Sequence, residues 1–477
     1  MKKSLLLIAL SIIVCSCEIV LEESDMSKVA KTEAATKSIE SASGESDDIS
    51  FSVSEESART FVCNFLMADD EAYDLAPVVE GNDTLLFVLN FNDGWKIISG
   101  DKRTAPVLAE NNDGHFSNEG HLPVPLQIIL NDSKEIVLSA QDNNSKSAGW
   151  AVVDRIYPSS KKTQTRDSDA HWVQVLVSNT SSTSDVETVG HLLNTVWDKT
   201  TPWNDKAPVW QNQHCVNNCI AITLAQLMYY HNQMSGSPSS LSENVYLQNP
   251  NTLPLLDQIV ASNPVSSTRW NSMKKTRQST TGNSGYVADL IAYISKVIGV
   301  NYSIQHSTAD IVSATLGYFG LSGQSSVSNG NLSSSFVTTI LNNLRNDKPL
   351  ITVRRTSLSS LPTHTWIIDG FVREQTTYYT TYRFYYVDDP SAISGQYNGY
   401  QIVNFYNDEE MASLLPGYTN GSEMVEQSSF ETKYFLMNWG LDNGAYDSIR
   451  QNVDVWSING TNYAANYREF YYNISAL

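Results

Sequence analysis

Residues 213–231 read Gln213-His214-Cys215-Val216-Asn217-Asn218-Cys219-Ile220-Ala221-Ile222-Thr223-Leu224-Ala225-Gln226-Leu227-Met228-Tyr229-Tyr230-His231. A polar, Asn-rich turn ends at Cys219, and helically spaced side chains follow it at Ile220, Thr223, Leu224, Leu227 and Met228. The spacing predicts a helix that begins at Cys219, with Asn218 or Asn217 as its N-cap. Backbone N–H groups and the helix macrodipole favour a thiolate at this position. Because Gln213 brings an amide donor six positions upstream, the segment indicates the beginning of a thiol peptidase site.

A thiolate nucleophile needs a general base, and His364 has the best context among the eight histidines. It lies in the apolar run Thr363-His364-Thr365-Trp366-Ile367-Ile368-Asp369-Gly370. The alternation predicts a strand with His364, Trp366 and Ile368 on one face. A lone strand histidine is more often a structural core residue. Its place downstream of Cys219, however, matches the nucleophile-first order of one class of thiol peptidases, so we predict that His364 is the base.

A third strand-like run, Tyr434-Phe435-Leu436-Met437-Asn438-Trp439-Gly440, delivers a carboxamide next to an indole. The Asn438 oxygen can accept a hydrogen bond from an imidazole and select its tautomer, and Trp439 can exclude water from that bond. Taken alone, the pair would indicate only a strand end with a packed tryptophan.

Taken together, these segments resemble the streptopain family of bacterial cysteine peptidases, which have a papain-like fold. The resemblance rests on segments that occur in the order typical of that family: Val189-Gly190-His191-Leu192-Leu193, Thr201-Pro202-Trp203-Asn204, Gln213 to His231, Arg269-Trp270-Asn271, His364 to Gly370 and Asn438-Trp439-Gly440. Residues 51–150 are similar to the inhibitory propeptide of the family, chiefly through Gly94 to Arg103 and Pro106-Val107-Leu108.

The resemblance implies a role for each matched position. Cys219 would be the nucleophile and His364 the general base. Gln213 would be the side-chain oxyanion donor, contributing roughly 3 kcal/mol, and the Cys219 N–H the second donor. Asn438 and Trp439 would orient the base.

Several features depart from the family pattern, among them Ala221-Ile222-Thr223 after the cysteine and Leu441 in place of a second tryptophan, and three features bear on activity. Asn218 stands where the family usually has glycine before the nucleophile, and its side chain would occupy part of a cleft that admits backbone. Cys215 lies four residues before Cys219 and could form a disulfide. The stretch near 373–430 is longer than expected, which predicts an inserted hairpin or lid beside the cleft.

The N-terminus predicts export. Lys2 and Lys3 precede an apolar run from Leu5 to Val14, which has the length of a signal peptide rather than of a membrane span. Val14-Cys15-Ser16-Cys17 resembles a lipobox and predicts lipidation of Cys17; a plain secretory signal is the alternative. We therefore expect the protein in the bacterial cell envelope, lipid-anchored at the outer membrane, or secreted.

The chain divides by composition into five segments. We predict a signal peptide (1–16), a flexible tether (17–50), an inhibitory propeptide domain (51–156), a processing linker (157–188) and a papain-like catalytic domain (189–477). Lys161 and Lys162 in the polar linker favour proteolytic processing, by another protease or by the protein itself, although a simple interdomain linker fits the composition equally well.

Composition limits the partners. The 31 basic and 51 acidic residues give a formal charge of −20, which argues against nucleic acid. The partners expected are protein or peptide substrates, an activating protease, and a membrane reached through the lipid anchor. Besides Cys15 and Cys17, only Cys63, Cys215 and Cys219 are present, and this odd number predicts a free thiol.

The sequence thus predicts an α+β protein that is a cysteine endopeptidase made as a zymogen, without cofactor or metal. One alternative is a catalytically impaired homologue that binds peptides or proteins as a lipoprotein. Another is a metal site formed by His214, Cys215, Cys219 and His231, but this set lacks the paired spacing typical of zinc sites.

Overall fold

The structure is a computed structural model. It describes residues 51–66, 72–117, 122–142, 144–156, 170–235, 267–304, 306–311, 313–328, 332–355, 360–389, 393, 395–453 and 467–476. Residues 50–477 form one compact unit. The predicted signal peptide, the Cys17 lipidation site, the tether and the first half of the linker lie outside the described residues and stay predictions.

Residues 51–156 form a small α+β layer. Its elements are α1 (Glu55–Phe65), β1 (Tyr73–Glu80), β2 (Asp83–Phe91), β3 (Trp95–Ser99), β4 (Val107–Asn111), α2 (Val124–Ser139) and α3 (Ala148–Ile156). Ser54 caps α1 by accepting a hydrogen bond from the Ser57 N–H at 3.1 Å. Gly94 forms the β2–β3 turn at φ +102°, where a Cβ atom would lie 2.2 Å from the Asn111 carbonyl oxygen. The apolar stripe of Ala58, Phe61, Val62 and Phe65 predicts α1, and the turn Asn92-Asp93-Gly94 between two apolar runs predicts the β2–β3 hairpin; both are present.

The rest of the chain adds a helical cluster and a large antiparallel sheet. Its first elements are β5 (Ala170–Val189), β6 (Val209–Trp210), β7 (Gln213–His214), α4 (Cys219–Ser235), α5 (Ser267–Asn271), α6 (Ser284–Val297), α7 (Ser313–Tyr318), β8 (Leu321–Ser328) and α8 (Ser334–Arg345). The remaining ones are β9 (Leu350–Arg355), β10 (Pro362–Tyr386), β11 (Gln396–Tyr397), β12 (Tyr400–Asn407), α9 (Asp408–Leu414), β13 (Glu423–Asn438), β14 (Arg450–Asn452) and β15 (Tyr467–Ala476).

The two parts share one sheet. Its strand order is β1-β2-β3-β4-β14-β13-β10-β5-β12-β11, while β9 pairs with β10, β15 with β9, and β8 with β15. The junction is short, because β4 meets β14 only at Arg450 opposite Glu110 and Gln451 opposite Ala109. An α+β architecture is therefore confirmed, with the N-terminal strands added to the edge of the larger sheet.

The second half of the predicted linker is not a loop. Residues 170–189 form β5, which pairs with β10 along its length and with β12 from Ala170 to Leu176. The Ser/Thr-rich composition suggested flexibility, but pairing to neighbours distant in sequence supplies the backbone hydrogen bonds that composition cannot reveal.

The predicted insertion forms a long hairpin. β10 and β13 pair from Ile367 opposite Asn438 to Arg383 opposite Glu423. Cross-strand ion pairs, among them Arg373 with Glu431, lie along it. The hairpin also holds the N-terminal part, since Phe65 of α1 packs edge-on against Tyr378 with ring centroids 4.9 Å apart. The inserted residues thus contact the predicted propeptide domain.

Two apolar cores lie on opposite faces of β9 and β10. α4 and α6 pack on the face that includes Ile351, Val353 and Ile367. The opposite face bears Trp366 and Ile368 and packs with Trp439 and with α2 and α8; we call this second core the shared core, because both parts of the chain contribute to it. Within the described residues, no helix is long and apolar enough to cross a membrane.

Candidate active site

Cys219 is the first residue of α4, as predicted. The Asn218 side chain accepts a hydrogen bond from the Ile220 N–H at 2.9 Å and donates one to the Ser307 carbonyl at 2.7 Å. Asn218 has no positive φ, so no glycine-like backbone is needed before the cysteine. Its side chain caps the helix and joins it to Ser307. The thiol residue is 5% exposed, which places it just beneath the surface at a helix N-terminus.

Gln213 lies in the short β6–β7 hairpin that precedes α4. Gln211 and Asn212 form its turn with φ values of 50° and 60°, the left-handed pair that two-residue hairpin turns require. Both residues of β7 are exposed, so the Gln213 amide faces solvent. The Cys215 N–H donates to the Pro208 carbonyl at 2.8 Å, which anchors the strand that leads to Cys219.

His364 lies in β10 on the face predicted for it, but it is fully buried. Its ring stacks on Trp366, with centroids 5.8 Å apart, and on Trp439, with centroids 6.1 Å apart. Nε2 lies 3.2 Å from the Trp439 carbonyl oxygen, and Nδ1 has no hydrogen-bond partner among the described residues. The imidazole therefore bonds neither to Cys219 nor to Asn438 in this structure.

This environment keeps His364 neutral. Burial lowers the pKa of its imidazole well below the ordinary value, and the positive charge of Lys199 lowers it further. The carbonyl of Trp439 opposes the shift, because it accepts a hydrogen bond from the ring. A general base must lie within hydrogen-bond reach of the proton it takes, and His364 makes no hydrogen bond to the Cys219 thiol here.

Asn438 lies at the end of β13, next to the histidine strand, but its amide points to α4. Its Oδ1 accepts from Gln226 Nε2 at 2.9 Å, and its Nδ2 donates to the Thr195 carbonyl at 2.9 Å. The predicted Asn438–His364 hydrogen bond is absent, because Asn438 Oδ1 accepts from both Gln226 and the Gly440 N–H, the latter at 3.2 Å. Trp439, in contrast, contacts His364 directly, as its place in sequence suggested.

No disulfide joins the cysteines in the part of the chain that the structure describes. Cys63, Cys215 and Cys219 are all thiols in this structure, so the disulfide considered for Cys215 is not formed. Cys215 is fully buried, and burial raises the pKa of its thiol. It packs in the same apolar core as Cys219.

A charged network behind the indoles did not appear in the sequence prediction. His191 Nδ1 lies 2.9 Å from Oδ1 of the fully buried Asp369, and Asp447 Oδ1 accepts from the Trp439 N–H at 2.8 Å. Burial lowers the pKa of His191, but the hydrogen bond and charge of Asp369, followed by Asp447, raise it overall. His191 and Asp369 both lie in segments quoted above for the resemblance; only their contact, across the fold, shows that they act together.

The carboxyl group of Asp447 makes the stability of the folded protein depend on pH. Burial, and then repulsion from Asp369, raise the pKa of its carboxyl group to about 7, although the Trp439 N–H lowers it. The native state therefore binds a proton between about pH 4 and pH 7 that the unfolded chain does not, so this group makes stability fall as pH rises through that window.

We expect Asp447→Asn to remove this dependence, because asparagine accepts the same hydrogen bond without a charge. In urea unfolding, the free energy of unfolding of the variant relative to the wild type should rise by roughly 1–3 kcal/mol from about pH 5 to about pH 8. Asp113→Asn, which removes a carboxylate exposed to solvent, is the control. An equal effect of both substitutions at both pH values would contradict the assignment.

The comparisons with known proteins agree with the resemblance described above. Residues 197–401 match the model of the Peptidase C10 family. The matched residues include Cys219, Gln213 and His364, whereas Asn438 and Trp439 lie beyond the match.

Two solved structures are similar to this chain at low sequence identity. A fragment of Prevotella intermedia prointerpain A is 14% identical, with a TM-score of 0.46, and the match covers 84% of this chain and 98% of that one. The active wild-type Prevotella intermedia interpain A cysteine protease is 14% identical, with a TM-score of 0.34, and the match covers 60% and 95%. No curated protein sequence matches the chain.

Proposed function

We propose that this protein is a cysteine endopeptidase held in a latent form by residues 51–156. The observation that carries the proposal is the missing hydrogen bond between the two reacting groups. Cys219 heads α4 within the family match, while the fully buried His364 lies beside the packed indoles of Trp366 and Trp439 and bonds to the Trp439 carbonyl instead of the thiol. A peptidase in this state has its nucleophile but lacks its base.

The N-terminal domain supplies the cover that keeps His364 in place. Side chains of α2, including Leu126, Ile129 and Ile136, belong to the shared core that contains Trp366 and Trp439. Burial in this core is favourable, at roughly 25 cal/mol per Å² of apolar surface. Release of α2 would uncover the indoles, and His364 would then reach Cys219 by turning from this face of β10 toward the face that packs on α4.

Once α2 is released, each residue of the site has a proposed role in peptide hydrolysis. The Cys219 thiolate attacks the peptide carbonyl carbon and forms a thioester as the amine leaves with a proton from His364. Gln213 and the Cys219 N–H stabilise the oxyanion. His364 then takes a proton from water, which hydrolyses the thioester and restores the thiolate. Asn438 would orient His364 after exchanging its partner Gln226.

Processing is proposed between Ile156, where α3 ends, and Ala170, where β5 begins. This interval includes Lys161, Lys162 and Arg166, which are targets for an activating protease or for self-processing. A cut downstream of Ala170 would fall within a strand that pairs with β10. The lipid anchor at Cys17 and an envelope or secreted location belong to the same proposal and rest on the N-terminal sequence alone.

An active-site label tests the proposal. The intact chain and the chain cleaved between Ile156 and Ala170 are treated with an epoxysuccinyl peptide, and labelling of Cys219 is followed by mass spectrometry. We expect labelling of Cys219 only after cleavage, together with internal cleavage of peptides blocked at both ends. The Cys219→Ala chain is the control for labelling at other thiols.

Equal labelling before and after cleavage would show that residues 51–156 do not confer latency. No labelling in either form would favour the alternative, an impaired homologue that binds peptides. That alternative has its own support in the Asn438–Gln226 bond, which occupies the amide expected to orient His364.

A further inference from the structure

A buried acidic side chain of the N-terminal domain reaches into the larger sheet. Asp132 of α2 has a fully buried side chain, and its Oδ2 lies 2.5 Å from Arg468 Nη2. Its Oδ1 lies 3.5 Å from Arg354 Nη1, and Gln451 Nε2 donates to Oδ2 at 3.2 Å. The side chains of Arg354 and Arg468 are only 10% and 5% exposed. Two guanidinium groups and an amide therefore surround one carboxylate.

The two arginines stand in a row with the proposed catalytic base. Across β10, β9 and β15, His364 lies directly opposite Arg354, and Arg354 directly opposite Arg468. Directly opposed residues of antiparallel strands project from the same face, and neighbouring strands are about 4.8 Å apart. Arg468 thus lies roughly 10 Å across the sheet from His364, about the length of three residues of an extended peptide.

Arg354 and Arg468 act on the charge of a second acidic residue of α2, Glu135, as well as on Asp132. Burial and the charge of Asp132 raise the pKa of Glu135, while Arg354 and Arg468 oppose that rise. Glu135 lies one helical turn after Asp132 in α2. The same helix that covers the indoles of the shared core thus presents its acids to the two arginines.

We propose that Arg354, Arg468 and Gln451 form a carboxylate-binding subsite of the peptidase, occupied by Asp132 in the intact chain and by a carboxylate of the peptide substrate once α2 leaves. The inference rests on the proposed function. A planar guanidinium pairs with a carboxylate through two donors, and the amide adds a third, so the site distinguishes Glu or Asp from the isosteric amides.

Substrate selectivity tests the subsite. The full chain, cleaved between Ile156 and Ala170 with both fragments present, is assayed with internally quenched peptides that differ only by Glu or Gln at successive positions around the scissile bond. We expect kcat/KM to favour Glu by at least ~10-fold at one position. A second set, with a free or an amidated C-terminus, separates side-chain recognition from recognition of a terminal carboxylate.

Substitutions of single arginines test which residue is responsible for the preference for Glu over Gln. Arg468→Gln should bring the Glu/Gln ratio close to one, and Arg468→Lys should retain part of it, because lysine keeps the charge without the planar donor pair. Arg383→Gln, which removes a surface arginine paired with Glu423 on the hairpin, is the matched control and should keep the ratio. Equal rates for Glu and Gln at every position in the wild type, with no preference for a free C-terminus, would overturn the proposal.

A binding measurement separates this inference from the proposed catalysis. In the cleaved Cys219→Ala chain, a fluorescent acidic peptide should bind more tightly than its Gln counterpart by anisotropy. Asp132→Asn should tighten that binding, because it removes the internal competitor. If the wild-type chain cleaves no peptide but the acidic peptide still binds selectively, the proposed function fails and the subsite stands. Equal binding of both peptides would reject the subsite even in an active enzyme.

Discussion

Replacing Cys219 with alanine is expected to abolish thiol-dependent peptide hydrolysis by the processed protein, lowering kcat/KM by at least ~10⁴-fold. Without the sulfur atom no thioester forms, and losses of this size are typical when a covalent nucleophile is removed. The measurement is initial-rate cleavage of an internally quenched peptide after cleavage between Ile156 and Ala170.

The other thiols provide matched controls. Cys63 lies in α1, in the part proposed to be inhibitory, and Cys215 is fully buried four residues before the nucleophile. Cys63→Ala and Cys215→Ala should both leave thiol-dependent cleavage in place, because neither thiol heads a helix. If Cys219→Ala keeps the activity of the wild type, or if Cys215→Ala removes it, the nucleophile has been assigned to the wrong cysteine.

Replacing Asp132 with asparagine is expected to destabilise the intact chain by about 3–5 kcal/mol, the usual cost of breaking a buried ion pair on one side only. The substitution removes the charge that faces both Arg354 and Arg468 while keeping the size of the side chain. Urea unfolding of the intact chain in a Cys219→Ala background, which prevents self-digestion, gives the free energy of unfolding.

An exposed ion pair calibrates this result. Glu423 pairs with Arg383 at the surface of the hairpin and is 47% exposed, so Glu423→Gln should change the free energy of unfolding by less than about 1 kcal/mol. If Asp132→Asn also changes the free energy of unfolding by less than about 1 kcal/mol, the buried ion pair does not hold α2 on the sheet. If Asp132→Asn lowers the free energy of unfolding by the expected amount, activity should also appear faster during processing.

Local sequence patterns were sufficient for several elements of this fold. The helix at Cys219, the α1 stripe, the β2–β3 hairpin and the His364 strand follow from spacing and capping residues that act within a few positions of one another. The linker prediction failed at β5 because the hydrogen bonds of that strand are made with β10 and β12, which are remote in sequence.

The candidate site also has some features that the sequence predicts and others that only contacts between distant segments decide. Cys219, His364 and Trp439 could be selected from residue type and order, and residues 197–401, which match a peptidase family, include the first two. The bond from Asn438 to Gln226 instead of His364, and the contact of His191 with Asp369, join segments far apart in the chain. Neither pairing has a signature in the sequence of either partner.

The sequence alone determined which chemical groups this protein has: a thiol at a helix start, an upstream amide, a strand histidine and a downstream Asn-Trp pair. Only the tertiary structure decided their state. His364 is buried, neutral and without a hydrogen bond to Cys219, and Asp132 of the N-terminal domain pairs with two arginines in the row beside it. The physical reason is that side-chain chemistry is local, whereas burial and ion pairing depend on surfaces that meet only after the chain has folded.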